Sequence, residues 1–493
     1  MPKFIDLAQE NISIKDLKKG RYFTFHIEDM AFGGKGIARI PTENGNYTVF
    51  VANSIPGQTV RAKVVKRKKN YAQCKLAEVL ERSSNEVETP YQSIPGAPFA
   101  NWPLADQHAH KKDSTFELYK RIGEQTDLES KFDEFIPSPR DWHYRNKMEY
   151  SFSQVIWDTE KNENYNDFGL GFKHRGQWLS VENMNADSGL FDADVENQFK
   201  DLREYLNSTG LPAWHPARHK GFYRYINIRK SFSEDKLLFN LTTSSSHLEE
   251  FDKENFVSKL IELFGEDRLA GILHTIHDSL GDRAFDKDAE THLLYGEPII
   301  HENLLGLDFE MSINSFFQPN PAAAQKLYQK AVDYSLSGSH RDNEEVILDL
   351  FCGTGTIGQI LAHQSNGAKS IIGVDIVESA IENARKNAEL NELKNLTFFA
   401  ADVGKFLLEY PEYKNTINTL VLDPPRSGIA PKTLKRVIQL EACRIVYISC
   451  NPATQARDFV HLNESGYILK KFSVVDQFPH TAHVETVSLF EKE

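Results

Sequence analysis

Two short stretches carry side chains of the types that enzymes use in catalysis. In 444–454, RIVYISCNPAT, a run of β-forming residues ends in Cys450, and an Asn-Pro pair follows at once. In VLDPPRSG, Asp423 follows another apolar run, and two prolines stiffen the loop behind it. A free cysteine is most often inert core filling, which is the simplest interpretation of Cys450 taken alone. The alternative is a thiol held at a strand end as a nucleophile, a role that divides one difficult step into easier ones.

A glycine-rich loop lies upstream of both stretches. The sequence ILDLFCGTGTIG, 347–358, contains GxGxxG between a predicted strand and a predicted helix, and Asp375 ends the next predicted strand. Dinucleotides and S-adenosylmethionine are both bound by loops of this spacing. Asp349 favours S-adenosylmethionine, because a carboxylate would repel a pyrophosphate but suits a zwitterion that carries a sulfonium. We expect Asp375 to accept the ribose hydroxyls and Asp402, after the third strand, to bind the adenine amino group; a helix N-cap is the alternative for each.

The elements that must position these residues alternate in the C-terminal part of the chain. After about residue 315 the pattern predicts βαβ units, hence a doubly wound parallel sheet with its ligand at the carboxyl ends of the strands. Short strands and glycine turns over 13–80 predict a small all-β barrel of the OB kind. The middle of the chain mixes strands and helices without a regular rhythm and predicts an α+β domain. We therefore expect three domains, at 1–85, 86–310 and 311–493.

Composition restricts the class of protein. The 493 residues carry a net charge of −13, yet residues 1–85 hold 15 Lys and Arg against 8 Asp and Glu. That excess centres on RAKVVKRKKN and predicts a local nucleic-acid patch at Lys66, Arg67, Lys68 and Lys69. The four cysteines have no metal-ligand or disulfide spacing, and no apolar run is long enough to span a membrane. We expect a cytoplasmic protein with no metal site and no membrane association.

The loop DPPR narrows the reaction. Enzymes that methylate exocyclic amines place an aromatic residue after the two prolines, where this chain has Arg426. Enzymes that methylate cytosine carbon 5 carry their attacking cysteine in this loop, but the loop in this chain contains no cysteine. The remaining thiol is Cys450. From Gly296 onward the chain resembles the RNA uracil-C5 methyltransferase family. The motifs that carry the resemblance occur in the family's order: SINSFFQPNP, LDLFCGTGTIG, LDPPRSG, YISCNPAT and DQFPHTAHVETVSLF. GGKGIARI and VANSIPGQTV resemble the TRAM domain that precedes catalysis in part of that family.

The resemblance implies a Rossmann-like class I methyltransferase domain and a role for each matching residue. Cys450 would be the nucleophile that adds to carbon 6 of uracil, Glu485 the base that removes the carbon-5 proton, and Asp423 a residue that positions the target base. We expect a partly ionised thiol, with donors or a helix N-terminus near it. The implied S-adenosylmethionine contacts are Gln318, Phe351, Thr356, Asp375, Asp402 and Asp423.

The chain departs from the family in one respect. Many TRAM-bearing members hold a [4Fe–4S] cluster on four cysteines, but the corresponding stretches here, GAPFANWPLADQHAHKK and LSVENMNADS, contain no cysteine. Iron–sulfur clusters require thiolates, so we expect no cluster and expect Trp102 and its neighbours to pack in that place.

The expected partner is RNA, bound by a monomer with no protein partner implied. The central domain has basic-aromatic stretches, WHYRNKMEYSF, FGLGFKHRG and HKGFYRYINIRKS, which predict RNA contacts at Arg145, Lys147, Arg224 and Arg229. The resemblance favours 23S rRNA over tRNA position 54 as the substrate. Two readings from other classes are an NAD-dependent oxidoreductase, disfavoured by Asp349, and an inactive RNA-binding module, disfavoured by the intact Cys450 and Glu485.

Overall fold

The computed structural model describes residues 13–43, 45–159, 161, 163–174, 178–281, 286, 289–337, 346–366, 369–413 and 416–493. These residues form sheets of six, seven, two and eight strands. No helix within the described ranges is both long and apolar enough to cross a bilayer.

The N-terminal sheet confirms the predicted all-β domain. Inward-facing apolar side chains alternate with outward-facing ones along its strands, so that Phe23, Phe25 and Val49 are buried in one small core. Its spatial order is β1-β5-β6-β4-β3-β2. The strands are β1 (Tyr22–His26), β2 (Asp29–Ala31), β3 (Lys35–Thr42), β4 (Gly45–Ala52), β5 (Thr59–Arg67) and β6 (Tyr71–Glu81).

The segment that follows packs on the C-terminal domain. It forms α1 (Leu104–Arg121), α2 (Leu128–Lys131) and β7 (Phe132–Ile136). Strand β7 joins the edge of the C-terminal sheet, where Phe132 lies opposite Phe472 in a parallel pair, and Tyr119 of α1 packs on Phe459 with ring centroids 4.7 Å apart. Within the predicted central domain of 86–310, residues 104–136 therefore pack on the C-terminal sheet. Pairing with a distant sheet edge leaves no local sequence pattern.

The central domain is a seven-stranded mixed sheet with helices against one face. The order is β10-β9-β8-β11-β12-β13-β14. Its core lies between the sheet and the helices and includes Tyr150, Phe199 and Leu260. The elements are β8 (Lys147–Asp158), β9 (Glu163–Lys173), β10 (Val181–Asn183), α3 (Ala193–Asn197), α4 (Phe199–Ser208), β11 (Tyr223–Lys230), β12 (Leu237–Thr243), α5 (Lys253–Phe264), β13 (Leu269–Ile276) and β14 (Glu290–Gly296).

The C-terminal domain confirms the predicted doubly wound sheet, of order β19-β18-β17-β20-β21-β23-β22-β7. Strands β20 and β21 are wholly buried, as expected where helices cover both faces. Strand β23 runs antiparallel to β21, so its first residue lies at the edge where β21 ends. The elements are the hairpin β15 (Ile299–Leu304) and β16 (Leu307–Ser312), then α6 (Pro321–Leu336), β17 (Val346–Leu350), α7 (Thr356–Gln364), β18 (Ser370–Asp375), α8 (Glu378–Leu390), β19 (Leu396–Ala400), α9 (Val403–Glu409), β20 (Ile417–Leu422), α10 (Pro431–Ile438), β21 (Arg444–Ser449), α11 (Pro452–Glu464), β22 (Tyr467–Val475) and β23 (Glu485–Lys492).

Trp102 lies in an apolar contact between the barrel and the rest of the chain. It is 6% exposed and clusters with Met30 and Ile55 of the barrel and with Phe99. The Phe99 and Trp102 rings meet edge to face with centroids 5.6 Å apart, and Ala482 of the C-terminal domain packs against the cluster. The stretch around Trp102 is thus filled with packed side chains.

Candidate active site

A cleft of about 700 Å³ opens at the carboxyl ends of β17, β18, β20 and β21. This is the edge at which open α/β sheets bind their ligands. Seven of the residues predicted from sequence line it: Gln318, Phe351, Thr356, Asp375, Asp423, Cys450 and Glu485.

The glycine-rich loop forms one wall of the cleft. Gly353 and Gly355 have φ values of +54° and +71°, and Phe351 also adopts a left-handed conformation, at +64°. A side chain at Gly355 would collide with Phe398, 2.4 Å away, whereas nothing lies within 4 Å of the Cβ position at Gly353. Gly353 therefore leaves its backbone open to a ligand, while Gly355 allows the loop to pack on the domain.

Two aspartates fix this loop from within the sheet. Asp375 accepts hydrogen bonds from the backbone N–H groups of Gly353 (3.0 Å) and Val377 (2.9 Å), which leaves part of its lone-pair capacity for a ligand. Asp349 is fully buried; one oxygen accepts from the N–H of Gly358 at 3.0 Å, and the other has no protein partner. Burial, with a further contribution from the carboxylate of Asp423, raises the pKa of Asp349 to about 8.

Cys450 and Glu485 are brought together by strand register. Ser449, the last residue of β21, pairs with Thr486 of β23. Cys450, which follows β21, and Glu485, the first residue of β23, are therefore neighbours at this edge of the sheet. The Thr486 hydroxyl donates to the carbonyl of Ser449 at 3.2 Å and to Gln455 Oε1 at 2.8 Å. These bonds lock the two strand ends behind the cleft.

The electrostatics of the cleft oppose ionisation of the thiol. Burial and the facing carboxylates of Glu485 and Asp423 raise the pKa of Cys450 to about 11, while Arg426 lowers it. Burial also raises the pKa of Asp423 to about 7 and holds that of Glu485 well above its ordinary range. Two carboxyl groups and burial thus act against the partly ionised thiol that we expect, whereas the charge of Arg426 acts in its favour.

Arg426 was not predicted to contribute to the site. It lines the cleft, and its charge lowers the pKa of the Cys450 thiol. Its Nη2 lies 2.8 Å from Nδ1 of His483, and its carbonyl accepts from Nδ2 of Asn451 (3.0 Å) and from the Thr454 hydroxyl (3.4 Å). The sequence could have indicated this contribution, since Arg426 lies between Asp423 and Cys450, which were both predicted to be site residues.

Tyr328 and Phe316 also line the cleft and were missed. Tyr328 is buried on α6, and burial with the charges of Asp423 and Glu485 raises its pKa. Phe316 is 67% exposed at the mouth of the cleft, in the loop that carries Gln318. A large exposed aromatic ring at the mouth of a cleft can serve as a stacking surface for a planar ligand.

Asp402 does not line this cleft. Its side chain caps α9 by accepting from the N–H of Lys405 at 2.9 Å, and it is exposed to solvent. Asp402 is thus the N-cap of α9, as the alternative interpretation expected. Its contact with the adenine amino group remains a prediction.

The predicted RNA contacts divide into exposed and buried groups. Arg224 and Arg229 are each 1% exposed and donate to backbone carbonyls, so the prediction that they face RNA is wrong. Their guanidinium groups instead donate hydrogen bonds to loop carbonyls in the interior. Sequence composition does not distinguish such buried arginines from those of a basic surface. Arg145 and Lys147 are half-buried, and Lys147 donates to the carbonyl of Ile313 at 2.9 Å.

The basic patch on the barrel is larger than predicted. Lys66, Arg67, Lys68 and Lys69 are exposed at the end of β5 and in the following turn. The turn at Gly20 hydrogen-bonds to Val64, with the Gly20 N–H donating to the carbonyl of Val64 at 2.8 Å, and brings a second set of cations beside the first. The added exposed residues are Lys18, Lys19 and Arg21.

Comparison with known proteins agrees with this architecture. The sequence profile of the tRNA (uracil-5-)-methyltransferase family matches residues 305–493, and that of the TRAM domain matches 16–77. An RNA methyltransferase of Clostridium tetani is 36% identical over 96% of this chain and 98% of its own length, and one of Caldanaerobacter subterraneus is 35% identical over 97% and 100%. The fold matches that of a Pyrococcus abyssi tRNA (uracil-54, C5)-methyltransferase, with a TM-score of 0.71 and 24% identity over 95% of this chain and the whole of the other. The chain belongs to the tRNA (uracil-5-)-methyltransferase family of RNA methyltransferases.

Proposed function

We propose that this protein methylates carbon 5 of a uridine in RNA through a transient bond between Cys450 and carbon 6 of the base. The observation that carries the proposal is the convergence of a thiol, two carboxyl groups and a glycine-rich loop on one cleft. S-adenosylmethionine would supply the methyl group.

The cleft fits that cofactor. Asp349 presents a buried oxygen without a protein partner, and Gly353 leaves open space beside the backbone. A carboxyl group whose pKa is raised by burial gains from a nearby positive charge, which favours its ionised form. We propose that Gln318, Phe351, Thr356, Asp375 and Asp423 hold the cofactor, since all five line the cleft.

The residues act in sequence on the base. The Cys450 sulfur adds to carbon 6 and forms a C–S bond, which pushes the electron pair of the carbon 5–carbon 6 double bond toward carbon 5 and makes that atom nucleophilic. After carbon 5 has gained the methyl group, it carries one proton too many. Glu485, beside Cys450, removes that proton; the electrons restore the ring double bond, and the sulfur leaves as a thiolate.

The raised pKa of Glu485 suits this step. A carboxylate in a dry site is a stronger base than one in water, so it can remove a proton from carbon. Asp423, half-buried in the same wall, would hold the base in place by accepting a hydrogen bond from a ring N–H or by donating one when protonated. Arg426 opposes the two carboxyl groups and favours the thiolate.

For the RNA class, we propose 23S rRNA, as the TRAM-bearing architecture favours. The rival is position 54 of tRNA, supported by the shape of the Pyrococcus abyssi enzyme. RNA from a deletion strain should lack one or more 5-methyluridines, and mapping them in rRNA and tRNA distinguishes the two.

The covalent step is tested with RNA that contains 5-fluorouridine, in which the proton that Glu485 must remove is replaced by fluorine. Incubation with S-adenosylmethionine should give a protein–RNA adduct that survives denaturation, and Cys450→Ala should give none. An adduct that persists in Cys450→Ala, or methylation of a base other than uracil, overturns the proposal.

A further inference from the structure

The loop between β16 and α6 supplies part of the lining of the cleft. It spans residues 313–319 and contributes Phe316, Phe317, Gln318 and Pro319 to that lining. All seven residues of the loop lie outside helices and strands, so no regular backbone hydrogen bonding fixes its course. Contacts from elsewhere in the chain must therefore hold Gln318 at the cleft.

Two cations of the central domain hold the first half of the loop. Lys147, at the start of β8, donates through Nζ to the carbonyl of Ile313 at 2.9 Å. Arg229, near the end of β11, donates through Nη2 to the carbonyl of Ser315 at 2.7 Å and through Nη1 to its hydroxyl at 3.3 Å. The loop is therefore fastened to two adjacent strands of the central sheet.

Asn146 holds the second half of the loop. Its Nδ2 donates to the carbonyl of Gln318 at 3.1 Å, and its backbone N–H donates to the carbonyl of Pro319 at 2.7 Å. Asn146 is only 1% exposed and directly precedes Lys147, so the same strand end holds both halves. The backbone on either side of Gln318 is thus hydrogen-bonded to the central domain.

The two cations depend on the loop in turn. Lys147 and Arg229 lie opposite each other in the antiparallel pair of β8 and β11, an arrangement in which like charges destabilise a sheet. Arg229 is 1% exposed, and a buried guanidinium requires hydrogen-bond acceptors. The carbonyls of the loop supply acceptors to both groups. Loop and cations therefore stabilise each other only when the loop follows this course.

We propose that Arg229 and Lys147 are positioning residues, which hold the 313–319 loop in the course that presents Gln318 to S-adenosylmethionine. This inference rests on the proposed cofactor contact of Gln318. Neither cation is among the residues that line the cleft, so each acts through the loop. Two residues of the basic-aromatic stretches thus serve the catalytic site without a contact to RNA.

The test measures the affinity of the full-length protein for S-adenosylhomocysteine by isothermal titration calorimetry, without RNA or methyl transfer. Arg229→Ala should weaken binding about 3- to 10-fold, which corresponds to the loss of one hydrogen bond from Gln318 to the ligand. Arg229→Lys, which keeps one donor, should recover part of the affinity. Lys147→Met keeps the aliphatic stem of a half-buried residue and should also weaken binding, so it provides the answer if Arg229→Ala does not fold.

Arg224→Ala is the matched control. Arg224 lies on the same strand as Arg229 and is equally buried, at 1% exposure. It donates to the carbonyls of His277 and Gly281, which are not among the residues that line the cleft. Its loss should lower the melting temperature, as the loss of Arg229 does, and leave the affinity for S-adenosylhomocysteine unchanged. Equal losses of affinity in Arg224→Ala and Arg229→Ala would overturn the inference, because they would reflect a general loosening of the domain.

A double-mutant cycle with Gln318→Ala separates positioning from stability. If Arg229 acts through Gln318, Arg229→Ala should weaken binding less in the Gln318→Ala background than in the wild type. Additive losses, wild-type affinity in both Arg229→Ala and Lys147→Met, or no binding by the wild type would each contradict the inference. Affinity that depends on Arg229, in a protein that forms no 5-methyluridine in RNA, would refute the proposed function and leave the inference standing.

Discussion

Loss of Arg426 should make the Cys450 thiol harder to ionise. The pKa of this thiol is about 11, so about one molecule in a thousand carries a thiolate at pH 8. Two unit charges 4 Å apart interact by about 4 kcal/mol at an effective dielectric of 20. Because Arg426 is exposed, solvent screening lowers this to about 1 kcal/mol, or about 0.7 of a pKa unit. Arg426→Ala should therefore reduce the thiolate population about fivefold.

The assay follows alkylation of Cys450 by iodoacetamide as a function of pH. Peptide mass spectrometry reports each cysteine separately, and the half-buried Cys443 serves as an internal standard. The midpoint of the Cys450 profile should move to higher pH in Arg426→Ala and stay near wild type in Arg426→Lys, which keeps the charge. The midpoint, unlike the absolute rate, is insensitive to the easier access that a smaller side chain allows. An unchanged or lower midpoint in Arg426→Ala would refute the reasoning.

His483 offers an independent check on the same argument. Burial and the neighbouring Arg426 lower the pKa of His483 to about 4, so the ring is neutral at working pH and can accept a hydrogen bond from the guanidinium. His483→Ala frees the guanidinium to sample solvent and should move the Cys450 midpoint in the same direction as Arg426→Ala, by less. His483→Asn, which restores an acceptor, should reverse part of the change.

Three further outcomes follow from the buried groups. The pKa of Asp349, about 8, lies above the unfolded value of about 4, so its contribution to stability is complete below pH about 4 and is lost as the pH rises through 8. Asp349→Asn should therefore raise the melting temperature, measured without ligand, above pH 8. The same variant should be stabilised less by S-adenosylmethionine. As the proposed base, Glu485 would have to be deprotonated to act, so turnover should rise with pH beyond the ordinary carboxyl range. Glu485→Gln should then accumulate the covalent RNA adduct under denaturing electrophoresis. Trp102→Ala should lower the free energy of unfolding by about 3–5 kcal/mol in chemical denaturation, and Trp102→Phe by less; equal losses would mean that ring size at this contact is unimportant.

The sequence was sufficient for the doubly wound sheet because its signals are local. Each strand from β17 to β21 is an apolar run of about five residues, and each helix between them has its own start and stop. Asp349, Asp375 and Asp423 could be placed at one edge because parallel strands end together. The addition of β7 could not be foreseen, since pairing with Phe472 occurs more than 300 residues away.

Burial separates the predicted RNA contacts that can meet solvent from those that cannot. Arg224 and Arg229 have the composition of an RNA surface, but only the packed structure shows that their guanidinium groups point inward at carbonyls. The thiol pKa is a similar case: a cysteine at a strand end suggests reactivity, and only the folded positions of Glu485 and Asp423 show that their charges raise its pKa. Charge and burial are properties of the folded neighbourhood, which a motif does not encode.

The relation of Cys450 to Glu485 depends on one antiparallel pairing. Because side chains alternate along a strand, a slip of β23 by one residue would turn Glu485 to the opposite face and separate the thiol from its proposed base. The buried Gln455 resists such a slip, since it accepts from Thr486 at 2.8 Å and from the Tyr119 hydroxyl at 2.5 Å and donates to the carbonyl of Tyr447. Tyr119 comes from α1, far upstream of the catalytic motifs. The segment between the barrel and the central domain therefore stabilises the register on which the proposed chemistry depends, which explains why it packs on the C-terminal domain.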